Sequence, residues 1–298
     1  MRQVIDRLVR LALGQVDARQ FLAQLAQVFF HLAHSHPKNP REPPEELRRL
    51  VDDPLERGRE RSRQIAESLE NAIVLTGDCA DEDLLREVTE AMTTNESFFF
   101  RDQRPFDQFR QVVLPRLLQQ RAAQKRIRIW SAACSTGQEP YSLAMILDEE
   151  RHKLAGWNIE IVATDLCRDV LDRAKQGIYT QFEVQRGLPI TMLVKYFTQM
   201  GDKWQLNKNI RDVIKFQTFN LLEPMTSLGQ FDVVFCRNVL IYFDQPTKAR
   251  VLENIARQMP NDGMLYLGGA ETVLGITQAF KPFDGQRGLY QRSEEHTS

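Results

Sequence analysis

The chain has 298 residues, a length that suits one large or two medium-sized domains. Hydrophobic residues make up 42% and charged residues 27%, a balance typical of globular proteins and unlike that of disordered chains. The 39 Lys and Arg residues nearly balance the 40 Asp and Glu residues, so the formal net charge is -1. A charge so close to zero argues against nucleic acid as a partner and against electrostatic attachment to an anionic membrane.

The cysteines indicate neither a metal site nor a disulfide framework, because they are widely spaced and include no CxxC pair. They are Cys79, Cys134, Cys167 and Cys236. This usage fits a reducing, cytoplasmic environment. The N-terminus alternates charged with apolar residues, and the longest apolar stretch, 21–34, is interrupted by glutamines and is too short to cross a bilayer. We therefore expect no signal peptide and no direct membrane insertion.

Residues 1–92 predict a helical region. Apolar residues recur at helical spacing up to residue 32, prolines between 37 and 44 indicate a linker, and acidic residues and arginines mix between 45 and 63. The charged segment has two interpretations, a solvated helix face or an arginine-bearing helix that contacts an acidic partner. A change of pattern near residue 92 predicts the boundary of a second domain, 93–292.

Beyond residue 101, strand-like and helix-like segments alternate. Expected strands are 126–132, 159–164, 213–219, 231–236 and 264–267, and expected helices are 139–154, 168–176 and 246–259. Gly177 stands where a helix C-cap glycine is expected. This alternation predicts an α/β fold with a doubly wound, mostly parallel sheet, whose ligand site lies at the carboxyl ends of the strands.

The segment 178–212 interrupts the alternation and is too long for a plain connection. Its Gly201-Asp202 pair is flanked by aromatic and alternating residues, which predicts a small antiparallel β-subdomain with a turn at that pair.

The turn after the first strand, 131–140, consists of small residues up to Gln138. It contains neither GxGxxG nor GxxxxGK[ST], so pyrophosphate or triphosphate binding is weakly supported. Two interpretations stay open: a loop that lets a ligand approach the backbone, or a tight turn with Pro140 in the first turn of the next helix.

Polar residues end three of the expected strands. Asp165 follows the second strand, where a carboxylate can bind a ribose diol, although it could also cap the following helix. Asn220 and Asn238 end two further strands and should face the same crevice. Together these residues predict a site for a nucleoside without phosphates, and S-adenosylmethionine is the commonest such ligand on this fold.

Three segments, 93–101, 130–142 and 236–243, closely resemble motifs of the chemotaxis protein methyltransferases, the CheR-type family. The resemblance covers about residues 81–292, whereas 1–80 and the tail 293–298 do not match. It implies a Rossmann-like class I methyltransferase domain with an N-terminal helical domain. It also implies transfer of a methyl group from S-adenosylmethionine to glutamate carboxylates on the cytoplasmic helices of chemoreceptors. By motif position, the implied cofactor contacts are Asn95, Ser97, Arg101, Glu139, Asp165, Asn220, Leu221, Asn238 and Val239.

The implied reaction needs no general base, because a glutamate with a pKa of about 4.3 is already ionised at neutral pH. It needs alignment, removal of water and a donor for the carboxylate. Arg101 and Tyr242 are the candidate catalytic residues. Their alternative interpretations are a surface arginine beside core phenylalanines and a tyrosine that packs against Phe243.

Two other functions stay open. The chain could be a non-catalytic signalling module that binds S-adenosylmethionine, or a methyltransferase of nucleic acid or small molecules. The latter is disfavoured by the neutral charge and because 238–242 lacks an Asn/Asp-Pro-Pro-Tyr arrangement.

The resemblance also bears on how a receptor would be held. Some members of the family bind a receptor's C-terminal peptide with a longer, glycine-richer hairpin than 199–202. We therefore expect no such tether here, the alternative being that the β-subdomain merely covers the sheet.

Overall fold

The computed structural model describes residues 96–293. The predictions made for 1–92, Asn95 and most of the tail lie outside these described residues.

The described chain alternates strands and helices as the sequence predicts. The strands are β1 Arg126–Ala132, β2 Asn158–Asp165, β3 Ile178–Thr180, β4 Phe197–Met200, β5 Lys203–Leu206, β6 Ile214–Thr218, β7 Val233–Cys236, β8 Met264–Leu267, β9 Phe280–Pro282 and β10 Leu289–Arg292. The α-helices are α1 Arg104–Gln108, α2 Leu114–Gln120, α3 Gln138–Glu149, α4 Arg168–Gln176, α5 Gln181–Gln185, α6 Ile190–Tyr196, α7 Lys208–Arg211 and α8 Gln245–Arg257. A π-helical turn, Phe109–Val113, joins α1 to α2.

The main sheet of the described region has the strand order β6-β2-β1-β7-β8-β10-β9. All pairs from β6 to β8 are parallel, and β10 runs antiparallel to both β8 and β9. The predicted doubly wound, mostly parallel sheet is therefore confirmed. The order reverses between β1 and β7, which creates a crevice at the carboxyl ends of the strands where such folds bind ligands.

Both faces of the central strands are buried, which explains their nearly continuous apolar sequences. In β7, Val233 and Phe235 pack in one apolar cluster together with residues of α3. Val234 and Cys236 pack in a second cluster with residues of α8. Helices thus cover the sheet on both sides.

The predicted β-subdomain is confirmed as a separate antiparallel sheet of order β3-β5-β4. Its hairpin turns at Gly201, whose φ of 65° is in the left-handed region that glycine tolerates. Gly177 ends α4 with φ 61°, as a C-cap glycine should. The expected helix 139–154 is too long, because α3 ends at Glu149.

Candidate functional site

The candidate site is formed by the loops that follow β1, β2, β6 and β7 and by residues 96–103. Left-handed backbone is concentrated there. Of the non-glycine residues with positive φ in the described chain, all but Lys125 lie in these segments: Phe100, Asp102, Gln103, Ala133, Ser135 and Asn238. Such conformations cost about 1–3 kcal/mol each and persist where the surroundings fix them, often at functional sites.

Asp165 connects two of these loops. Its Oδ2 accepts a hydrogen bond from the Ser135 N–H at 2.8 Å, and its Oδ1 accepts one from the Cys167 N–H at 3.0 Å. The N-cap residue of α4 is Cys167, so the alternative interpretation of Asp165 as the N-cap of this helix is wrong. Burial raises the pKa of the Asp165 carboxyl, which the backbone donors partly offset. Each carboxylate oxygen retains acceptor capacity for a ligand.

Asn220 lies beside the end of β2. The Phe219 N–H donates to the Asp165 carbonyl at 2.9 Å, which brings the loop after β6 next to Asp165. The Asn220 Oδ1 accepts from the Leu222 N–H at 3.0 Å in a local turn, and the side chain of Leu221 is buried. These two residues therefore join Asp165 at the same edge of the sheet.

Glu139 and Arg237 form a buried ion pair beneath the loops. Arg237 Nη1 donates to Glu139 Oε2 at 3.0 Å, and only 1% of the Arg237 side chain is exposed. Glu139 also accepts from the Ser131 hydroxyl at 2.8 Å. Burial raises the pKa of the Glu139 carboxyl, and the Arg237 charge opposes that rise. Glu139 is thus an acceptor whose charge depends on Arg237.

Arg237 also holds the segment that carries Arg101. Its Nη2 donates to the Arg101 carbonyl at 2.8 Å and to Asp102 Oδ2 at 2.7 Å. The Arg101 guanidinium donates to the Glu96 carbonyl at 2.8 Å and lies 5.5 Å from the Phe98 ring centre. Guanidinium has five N–H donors, so this arrangement leaves capacity for a carboxylate. The structure thus supports Arg101 as a partly buried donor beside an aromatic side chain.

Asn238 has the left-handed φ of 58°, and its Oδ1 is buried with no hydrogen-bond partner in the described structure. A buried acceptor without a partner is costly, so it is a candidate for a ligand contact. The backbone N–H groups of Asn238 and Val239 both donate to Glu271, at 2.9 and 3.0 Å. Tyr242 ends the short 3₁₀ turn Leu240–Tyr242 in the same loop and is partly buried.

The structure thus places most of the predicted site residues in the loops at the strand ends, at the start of α3, or in the segment 96–103. They are Arg101, Glu139, Asp165, Asn220, Leu221, Asn238, Val239 and Tyr242. Ser97 lies in that segment and is partly buried, whereas Asn95 lies outside the described residues. Sequence reasoning missed Arg237 and Glu271. Arg237 stands inside the motif 236–243, and Glu271 follows a Gly268-Gly269-Ala270 run directly after β8, a signal of close backbone approach.

Among residues 96–293, the opposite edge of the sheet carries a groove whose arginine is already bound by carboxylates. An open groove of about 310 Å³ lies there, between the starts of β1 and β7. Its Arg121 is already paired with Asp232 at 2.7 Å and Asp262 at 2.6 Å. Between residues 96 and 293 no group of His, Cys, Asp and Glu side chains could hold a metal ion. No helix in the same range has the length and apolar composition to cross a membrane.

Comparison with known proteins identifies the family. Residues 95–289 match the family model described as CheR methyltransferase, SAM binding domain. The chain is 42% identical over 215 residues to chemotaxis protein methyltransferase 1 of Pseudomonas aeruginosa, covering 70% of this chain and 78% of that protein. It is 40% identical to the methyltransferase Cher2 of Pseudomonas putida, covering 71% and 78%. It is 41% identical to chemotaxis protein methyltransferase 1 of Vibrio cholerae, covering 70% and 75%.

Proposed function

The chain belongs to the CheR methyltransferase family, and on this premise we propose that it methylates glutamate side chains on the cytoplasmic helices of chemoreceptors. The family makes it an S-adenosylmethionine-dependent methyltransferase of chemotaxis. The glutamate carboxylate as the acceptor, the receptor as the partner and the cytoplasm as the location are our proposals.

The observation that carries this proposal is the Arg101 guanidinium, whose remaining N–H donors suit a substrate carboxylate. The described part of the site also holds no histidine, the commonest general base. Within the described residues the only histidine is His152, on the turn between α3 and β2 at the opposite edge of the sheet. Burial raises the pKa of the Cys134 and Cys236 thiols well above the ordinary value, so neither is a thiolate at neutral pH. A carboxylate acceptor is already ionised, whereas a protonated amine would first have to lose a proton.

The residues at the strand ends fit the cofactor. S-adenosylmethionine supplies an electrophilic methyl group on a sulfonium sulfur, and transfer to a carboxylate oxygen forms a C–O bond as the C–S bond breaks. We assign Asp165 to the ribose hydroxyls, because it is a buried acceptor at the end of β2. The unpartnered Asn238 Oδ1 supplies a further acceptor. Ser97, Glu139, Asn220, Leu221 and Val239 complete the proposed contacts, with Asn95 as a prediction from the motif.

Arg101 is the proposed donor to the substrate carboxylate. A guanidinium binds a carboxylate with two parallel hydrogen bonds, which aligns one oxygen and removes water from it. Because Arg237 binds the Arg101 carbonyl, the position of Arg101 is fixed from the protein interior. Tyr242 is the second proposed catalytic residue, since it lies in the same loop as Asn238.

The direct test is to incubate the full chain with methyl-labelled S-adenosylmethionine and a receptor cytoplasmic fragment. We expect base-labile label on the fragment, because glutamyl methyl esters hydrolyse in base. A matched fragment whose methylation-site glutamates are replaced by alanine should stay unlabelled. Base-stable label would contradict a carboxylate acceptor. Cofactor binding without transfer would instead support a non-catalytic module.

A further inference from the structure

The Glu271 carboxylate accepts hydrogen bonds from four backbone N–H groups, which belong to two loops at the edge of the candidate site. Its Oε1 accepts from the N–H groups of Val239 at 3.0 Å and Ile241 at 3.2 Å. Its Oε2 accepts from the N–H groups of Asn238 at 2.9 Å and Gly268 at 2.6 Å. Hydrogen bonds to an ionised carboxylate are stronger than those between neutral groups, so this carboxylate fixes the start of the loop after β7.

The neighbouring Gly268 explains how the carboxylate reaches these donors. A Cβ on Gly268 would lie 2.7 Å from both Asn238 Nδ2 and Glu271 Oε2, and 2.9 Å from the Asn238 backbone nitrogen. These distances are shorter than real Cβ contacts, so only glycine lets the loop after β8 pack against Asn238 and Glu271. The left-handed backbone of Asn238, with φ 58°, is the conformation that this packing stabilises.

We infer that Glu271 is a positioning residue of the cofactor site, which holds Asn238 and Val239 in the geometry that binds S-adenosylmethionine. The inference rests on the proposed function only in assigning Asn238 and Val239 to the cofactor. Three of the four donors belong to the loop after β7, and the Asn238 side chain in that loop carries a buried acceptor without a partner in the described structure. Glu271 thus acts through that loop.

The test compares Glu271→Gln and Glu271→Ala with wild type and with a control, Asp172→Asn. Asp172 is an exposed carboxylate on α4, outside the loops that form the site, so its substitution should change nothing. Isothermal calorimetry with S-adenosylmethionine and S-adenosylhomocysteine gives the affinity without any methylation step. We expect the dissociation constant of Glu271→Ala to rise about 10-fold or more. We expect Glu271→Gln to show a smaller rise, because its amide oxygen still accepts on one side.

Kinetics and folding separate positioning from general destabilisation. A positioning role raises KM for S-adenosylmethionine several-fold more than KM for the receptor fragment, which loss of folded protein does not do. Urea unfolding shows whether each variant is folded. If Glu271→Ala does not fold, the cofactor affinities of Glu271→Gln and Gly268→Ala test the inference instead. The methyl group that Gly268→Ala adds should displace Asn238. Affinities within twofold of wild type in these folded variants would overturn the inference. If wild type binds the cofactor but esterifies no receptor glutamate, the proposed function fails while this comparison still stands.

Discussion

Replacing Arg237 with methionine tests how the buried ion pair supports the site. The contact with Asp102 contributes about 0–1 kcal/mol, because half of the Asp102 side chain is exposed. The contact with Glu139 matters more, because the side chains are only 1% and 13% exposed. Removing one partner of a buried pair costs about 3–5 kcal/mol, since the remaining charge is buried without compensation. Glu139 keeps the Ser131 hydroxyl as a donor, so we expect a loss of about 3 kcal/mol.

This loss should depend on pH in a defined direction. Burial already raises the Glu139 pKa above its ordinary 4.5, and removal of Arg237 raises it further. A carboxyl whose pKa is higher in the folded state binds more protons there, so stability falls as pH rises from the unfolded pKa through the folded one. Arg237→Met should therefore lose more stability at about pH 8 than at about pH 5.

The assay is urea unfolding followed by tryptophan fluorescence at both pH values. Arg110→Met is the matched control. It also removes an arginine that contacts two carboxylates, but the Arg110 side chain is 39% exposed and Glu150 keeps Lys153. We expect the control to lose about 1 kcal/mol or less. An Arg237→Met loss equal to the control, or one that does not change with pH, would refute the argument for a buried, charge-compensated Glu139.

Arg101→Ala should lower turnover about 100-fold while urea stability stays near that of wild type, and the exposed neighbour Arg104→Ala should keep its rate. A wild-type rate for Arg101→Ala would remove Arg101 from the mechanism. Asp165→Ala should weaken calorimetric S-adenosylmethionine binding by about 1.5–3 kcal/mol, and unchanged affinity would mean that Asp165 only connects the loops. Deleting the C-terminal peptide of a cognate receptor should leave its methylation rate unchanged, because the hairpin at Gly201 is short. A large fall would show that this hairpin does bind a tether.

Features that depend on neighbouring residues were predictable from the sequence. The bounds of β1, β8 and α4 match the expected ranges, because apolar periodicity and a C-cap glycine are local signals. The expected helix 139–154 is too long because residues 150–154 favour helix, while Glu150 is bound by Arg110 and the chain turns back into β2. Strands β9 and β10 were missed, since each is short and partly polar and forms only by antiparallel pairing.

In the candidate site, too, the sequence predicted what local patterns show and missed what depends on distant residues. Asp165 and Asn238 were found because polar residues at strand ends form a readable pattern. Arg237 and Glu139 are 98 residues apart, so no local pattern shows that they pair. The role of Glu271 was hidden for the same reason, because its donors in the loop after β7 lie 30–33 residues away. Motif resemblance located the ligand contacts, but only the fold shows what supports them.

The hydrogen bonds between Glu271 and the loop after β7 also determine when this loop can reach its final geometry during protein synthesis. A nascent chain folds from its N-terminal side as the ribosome releases it. When β7 and Asn238 have emerged, the carboxylate that fixes their loop has not yet been released, because it follows β8. The cofactor stabilises only a state that binds it. The loop after β7 therefore reaches the geometry described above only after β8 and Glu271 have left the ribosome, and any stabilisation by a cofactor that depends on this loop begins only then.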